Sequence, residues 1–121
     1  MKRNPRLDIY LDKIKSNSEN IKALCLKHGI KVVGITKGCC AIPEVGQAMI
    51  DGGIDILGDS RIENLKVLRK SGLKVKTMLI RIPMLSEVNR VLDWADISLN
   101  SEISVIKLLS QEALKKKLFI E

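Results

Sequence analysis

Lys37 stands where an apolar run, Lys31-Val32-Val33-Gly34-Ile35-Thr36, gives way to a loop. A lysine that ends a buried parallel strand is drawn partly out of water. Burial lowers an ammonium pKa, and a neutral amine can attack a carbonyl to form a Schiff base. Three further apolar runs also end in polar residues, at Asp59-Ser60-Arg61, at Arg81 and at Asn100. From 37 to 59, 59 to 81 and 81 to 100 the spacing is 22, 22 and 19 residues. Arg81 interrupts its apolar run near the C-terminal end, where burial demands an anionic partner. Repeated strand-then-helix units with chemistry at strand C-termini mark a (β/α) barrel, whose active site lies on that face. The plain alternative is that Lys37 is one solvated loop lysine among 21 basic residues.

The elements that would hold these residues follow from periodicity and stop signals. A first helix is predicted from Asp12 to Lys27, with Leu11, Ile14, Ile21, Leu24 and Cys25 approximating one stripe and Ser18 filling its gap. His28-Gly29 closes it, histidine in the last turn and glycine in the left-handed C′ position, which makes His28 a capping residue rather than a ligand. Leu7 to Leu11 alternates as a short strand would. Strands are expected over Lys31–Thr36, Ile54–Leu57, Val75–Ile82 and Ala95–Leu99, β-branched and poor in charge as parallel strands are. Between them, Pro43 suits N1 of a helix bearing Val45, Ala48 and Met49 and stopped by Gly52-Gly53. Ser60 and Glu63 read as a capping box ahead of Ile62, Leu65 and Leu68. Ser86 caps a helix carrying Val88, Val91 and Leu92. Asn100-Ser101 start one bearing Ile103, Ile106, Leu109 and Ala113, and Leu118 to Glu121 begin a fifth strand.

This is the N-terminal half of a (β/α)8 TIM-type barrel, one partial domain over residues 1–121. Four and a half units cannot close eight strands, and an open sheet leaves unpaired edges. The expectation is therefore a fragment of a longer protein, with assembly onto another half as the alternative.

Composition narrows the function classes. The 121 residues are 45% hydrophobic and 29% charged, an ordinary globular balance. No apolar run approaches the roughly 18 residues that span a bilayer, and the N-terminus lacks a signal-peptide core. Cys25, Cys39 and Cys40 are odd in number and lack C-x-x-C spacing, so they read as reduced thiols of a cytoplasmic protein, with no metal site. The net charge of +7 raises nucleic acid, but Tyr10, Trp94 and Phe119 sit in no basic cluster. Lys115-Lys116-Lys117 closes a helix, where cations complement the macrodipole. An anionic small molecule suits the surplus charge at least as well.

The segments Val33-Gly34-Ile35-Thr36-Lys37, Pro43-Glu44-Val45, Gly52-Gly53-Ile54-Asp55, Asp59-Ser60-Arg61-Ile62-Glu63-Asn64-Leu65, Leu79-Ile80-Arg81-Ile82-Pro83-Met84 and Ala95 to Glu102 carry a resemblance. In collinear order over almost the whole chain, they are similar to the start of the alanine-racemase-like, fold type III pyridoxal 5′-phosphate enzymes, the ornithine racemases being the most similar branch. The resemblance implies that Lys37 holds the cofactor through a Schiff base and serves as catalytic acid/base on one face of the substrate. A tyrosine works on the other face in alanine racemase, and the cofactor ring absorbs electrons as the Cα proton leaves.

In that family the phosphate-binding loops, a ring-contacting arginine and the tyrosine belong to parts beyond Glu121. The isolated chain is thus expected to be inactive, while its full-length parent interconverts L- and D-amino acids. Ser60, Arg81 and Asn100 are the further cofactor-binding candidates, with Arg61 beside them at the barrel mouth. For Arg81 a substrate carboxylate, the cofactor phosphate, Glu63 or Asp59 would serve as partner; Ser60 and Asn100 have capping as their alternative. Tyr10 is expected to pack, and Cys39 and Cys40 to act as small loop residues. The expected partners are a small amino-acid substrate and a second subunit, as a homodimer or through the open barrel edges, without nucleic acid or membrane. Two other functions stay open: a pyridoxal-phosphate carrier that does not racemise, and a half-barrel scaffold without cofactor.

Overall fold

A computed structural model describes residues 4–121. Strands and helices alternate as expected: α1 Leu11–Leu26, β1 Val33–Ile35, α2 Pro43–Asp51, β2 Ile56–Asp59, α3 Ile62–Lys70, β3 Lys76–Leu79, α4 Val88–Trp94, β4 Ile97–Ser98 and α5 Ile103–Lys116. Short 3-10 turns occupy Lys37–Cys39 and Leu85–Glu87. The four strands form one parallel sheet in the order β1-β2-β3-β4. Glu121 donates to the Asp96 carbonyl (2.9 Å) and accepts from the Ser98 N–H (3.0 Å), the two bonds of a parallel pairing on the β4 edge where a fifth strand is expected to begin, although residues 118–121 form no strand.

The helices cover one face of the sheet. Leu57 and Leu79, fully buried, meet Ile62, Leu65, Leu68, Val88, Val91, Val105, Leu109 and Ala113 there in one core cluster. The other face carries Val33, Ile35 and Ile80, and a Cβ placed on Gly58 would lie 2.9 to 3.1 Å from side-chain atoms of all three. Only glycine lets these three close over β2. Ile35 remains 39% exposed because no layer among the described residues covers that face.

Several boundaries move for local reasons. Residues 7–10 form no strand, since a lone extended segment has no ladder to join, and Leu7 is exposed. β2 starts two residues late because the Ile54 N–H is spent on the Met49 carbonyl closing α2. Gly29 (φ 68°) closes α1 as expected, with Ile30 donating to Cys25 and Gly29 to Leu26 in a Schellman arrangement.

The α1 stripe is narrower than expected: Ser18 is buried, Ile14 and Cys25 are half-buried, and Leu11, Ile21 and Leu24 are exposed. The helix crosses the chain at Gly52, where an added Cβ would sit 2.5 Å from Ser18 Cβ and 2.6 Å from the Lys15 carbonyl. That close approach fixes which side of α1 faces inward. In α5 the inner stripe is Val105, Leu109 and Ala113, spaced four apart; Ile103 and Ile106 face outward.

Candidate active site

Lys37 opens the 3-10 turn one residue after β1, with Thr36 between them, at the C-terminal end of the sheet where (β/α) barrels carry their chemistry. The burial expected of it is not supplied by this chain: Lys37 is exposed, and it lies outside two grooves of about 310 and 320 Å³ on the helical side. Its amine has no ion-pair partner among the described residues, and the position beside Gly38 is open. An unengaged amine with room around it can accept an aldehyde-bearing ligand.

Behind Lys37 the backbone is held firmly. The fully buried Thr36 hydroxyl donates to Asp59 Oδ2 at 2.8 Å, and Asp59 is itself fully buried. The other oxygen, Asp59 Oδ1, accepts from the Arg61 N–H (2.9 Å) and the Asn64 amide (3.0 Å). β1 and β2 pair with Ile35 opposite Gly58, which sets Thr36 opposite Asp59. Sequence reasoning named Asp59 only as the end of a run or a partner for Arg81, and it passed over Thr36. The available signal was a hydroxyl and a carboxylate closing neighbouring apolar runs at matching positions.

Ser60 does not cap α3, and the Ser60–Glu63 box is not formed: the helix begins after Arg61 without a side-chain cap, and Glu63 pairs with Arg90. Asp59 does the local work instead, binding the Arg61 N–H. Ser60 stays half-buried and gives its carbonyl to Arg81 Nε (3.0 Å); the Arg61 side chain is exposed.

Arg81 meets the anionic partner that its position required, but the partner is Glu87 rather than Glu63 or Asp59. Both terminal nitrogens bind the two Glu87 oxygens at 3.0 Å, while Glu87 also accepts from the Met84 N–H (2.9 Å). Such a planar two-point pair is the geometry that guanidinium favours. Arg81 holds the Glu87 carboxyl below its ordinary range, with the Met84 N–H acting in the same direction, and the pair raises Arg81. The arrangement braces the turn between β3 and α4, where Ser86 was expected to cap and does not.

Asn100 lies apart from Lys37, three strand spacings or about 14 Å across the sheet. It lines the groove between α5 and residues 118–121, donating to Ser98, and its Oδ1 has no partner among the described residues. It does not cap α5, which starts after Glu102. Tyr10, expected to pack, is exposed with Lys13 over its ring at 4.5 Å. At the opposite end of the sheet, Asp96 binds the Thr77 N–H (2.7 Å) and Arg69 (2.6 Å). That is the N-terminal face, where polar networks serve stability.

A family model described as alanine racemase, N-terminal domain, matches residues 9–120. The chain belongs to this family. As an alanine racemase N-terminal domain it is 42% identical over 109 residues to an ornithine racemase of Acetoanaerobium sticklandii, covering 90% of this chain and 30% of that protein. Against a lysine racemase of Thermotoga maritima it is 33% identical over 113 residues, covering 93% and 32%. An alanine racemase structure from Clostridium difficile 630 matches with a TM-score of 0.73 at 14% identity, over 87% of this chain and 29% of that one. The fold is thus the half-barrel read from the sequence, and the chain spans about 30% of the length of the curated relatives it matches. In a closed barrel the face away from the helices is the interior, so Val33, Ile35, Gly58 and Ile80 belong to the barrel lining.

Proposed function

We propose that this chain supplies the cofactor-bearing lysine of a pyridoxal 5′-phosphate-dependent amino-acid racemase that inverts ornithine or a similar basic amino acid. One observation carries the reading: Lys37, with an amine unengaged among the described residues, lies two residues past the end of β1, at the end of the sheet where barrels of this kind do chemistry. The 42% identity to an ornithine racemase supports the substrate class.

Lys37 Nζ would hold the cofactor by its aldehyde, and nothing stands within 4 Å of a Cβ added at the neighbouring Gly38. When bound, the cofactor supplies an electron sink for the bond to the substrate Cα hydrogen. Lys37 Nζ would take or return the Cα proton on one face of the substrate. It must be neutral when it takes the proton, so water has to be excluded from its surroundings. Covering of the Ile35 and Ile80 face by further strands would do this. Inversion needs a second proton carrier on the opposite face, which we assign outside this chain. Among the cofactor-binding candidates, Ser60 remains beside the site. Arg81 is committed to Glu87 and Asn100 to Ser98, and we assign both to structure. Three free thiols support placing the protein in the cytoplasm.

Exchange of the ornithine Cα hydrogen for solvent deuterium tests the reading in the longest protein that contains this chain, with pyridoxal phosphate present and a Lys37→Ala control. Exchange lost in the variant supports a racemase. A cofactor adduct at Lys37 without exchange supports the carrier, and neither signal supports the scaffold.

A further inference from the structure

Asp59 is a fully buried carboxylate whose three hydrogen-bond donors include no cation: the Thr36 hydroxyl, the Arg61 N–H and the Asn64 amide. A group of this kind is costly to bury and needs each of its bonds. It ends β2 and ties Thr36, the residue between β1 and Lys37, to the start of α3.

Thr36 is fixed at each of its polar atoms. Its N–H donates to the Gly58 carbonyl (3.0 Å), its hydroxyl to Asp59, and its carbonyl accepts from the Cys39 and Ala41 N–H groups (3.2 and 3.1 Å). Cys39 Sγ reaches the same carbonyl at 3.3 Å. The turn organised on that carbonyl passes through Cys40 and Ala41 at φ 52° and 56°, a left-handed pair that L-residues disfavour. A turn so strained keeps its shape only where its anchor does, and the anchor is Thr36.

We infer that Asp59 and Thr36 are positioning residues for Lys37. Asp59 holds Thr36 through the hydroxyl, Thr36 holds the 37–41 turn through its carbonyl, and the turn sets the direction from which the Lys37 amine meets its ligand. The inference rests on Lys37 being the cofactor lysine. It extends that reading by assigning a role to two residues that touch neither cofactor nor substrate.

The test uses the longest protein that contains this chain, with pyridoxal 5′-phosphate as probe. A lysine amine condenses with the aldehyde, losing water, and borohydride reduces the C=N bond to a stable secondary amine whose position is read by peptide mass. The readout is the rate of labelling at Lys37 relative to the exposed Lys27 in the same molecule. Thr36→Val removes only the hydroxyl and should cut that ratio about fivefold, the equivalent of one net hydrogen bond. Thr36→Ser should restore it. Amide exchange over residues 37–41 should rise in Thr36→Val while α3 keeps its protection. Asp59→Ala should act in the same direction; if it fails to fold, Thr36→Val decides alone. A folded Thr36→Val chain that labels Lys37 at the original ratio, with an unchanged turn, overturns the inference and leaves the cofactor reading standing. A wild-type chain with no excess at Lys37 over Lys27 overturns both.

Discussion

Replacing Asp96 by alanine tests whether the polar networks at the two ends of the sheet have different duties. At the N-terminal end of the sheet, Asp96 Oδ2 accepts from the Thr77 N–H (2.7 Å) and the Thr77 hydroxyl (3.2 Å), and Oδ1 accepts from Arg69 (2.6 Å). Thr77 is 1% exposed. Its hydroxyl keeps the Trp94 carbonyl at 2.8 Å, so the variant orphans chiefly one buried N–H, costing about 1–3 kcal/mol. The Arg69 pair has side chains 37% and 32% exposed and adds no more than about 1 kcal/mol. A total near 2–3 kcal/mol lowers Tm by roughly 6–15 °C for a domain of this size. Urea titration followed by circular dichroism measures the change, provided the slope is constant. Asp96→Asn, which keeps an acceptor for Thr77, should recover most of the loss. The Lys37 labelling ratio should not move in either variant below the transition. A cost under about 0.5 kcal/mol, or a labelling loss equal to that of Thr36→Val, would refute the division between a stabilising end and a chemical end.

Two further perturbations probe the scaffold. The Glu87 carboxyl is held below its ordinary value of 4.5 by Arg81, so its contribution is complete above that value and disappears as pH falls through the depressed one. Because Arg81 is 39% exposed, Glu87→Gln should cost only about 0.5–1 kcal/mol at pH 7, and chemical denaturation at a series of pH values should show the gap closing below about pH 4.5. A gap that widens in acid contradicts the pairing. Gly52→Ala places a Cβ 2.6 Å from the Lys15 carbonyl, and should cost about 1–3 kcal/mol by lifting α1. Hydrogen exchange should speed up in residues 11–26 with β2 protection retained, and uniform exchange across both would contradict the contact.

The order of elements was legible because apolar periodicity and stop residues are local. Pro43 opens α2 and Gly29 closes α1 for reasons contained within a few residues of each. Errors arose where one atom had two possible partners. Ile54 looked like the first residue of a strand, yet its N–H closes a helix. Ser60 and Glu63 had the spacing of a capping box, but Asp59 and Arg90 intervened. Arg81 was rightly expected to need an anion, and the choice of Glu87 depended on the turn at 84–87 that no periodicity encodes. The Thr36–Asp59 contact joins residues 23 apart and exists only because β1 and β2 pair in one register. The place of Lys37 just past a strand end was legible; its exposure was not, since the described residues leave the Ile35 face of the four-stranded sheet uncovered.

Borohydride trapping of pyridoxal 5′-phosphate on the longest protein that contains this chain tests the central claim most directly, read as the distribution of pyridoxyl adducts over its lysines. The account predicts one dominant adduct on the peptide containing Lys37, absent from Lys37→Ala while the other lysines label as before. Adducts spread over the exposed lysines with no excess at Lys37 would contradict it.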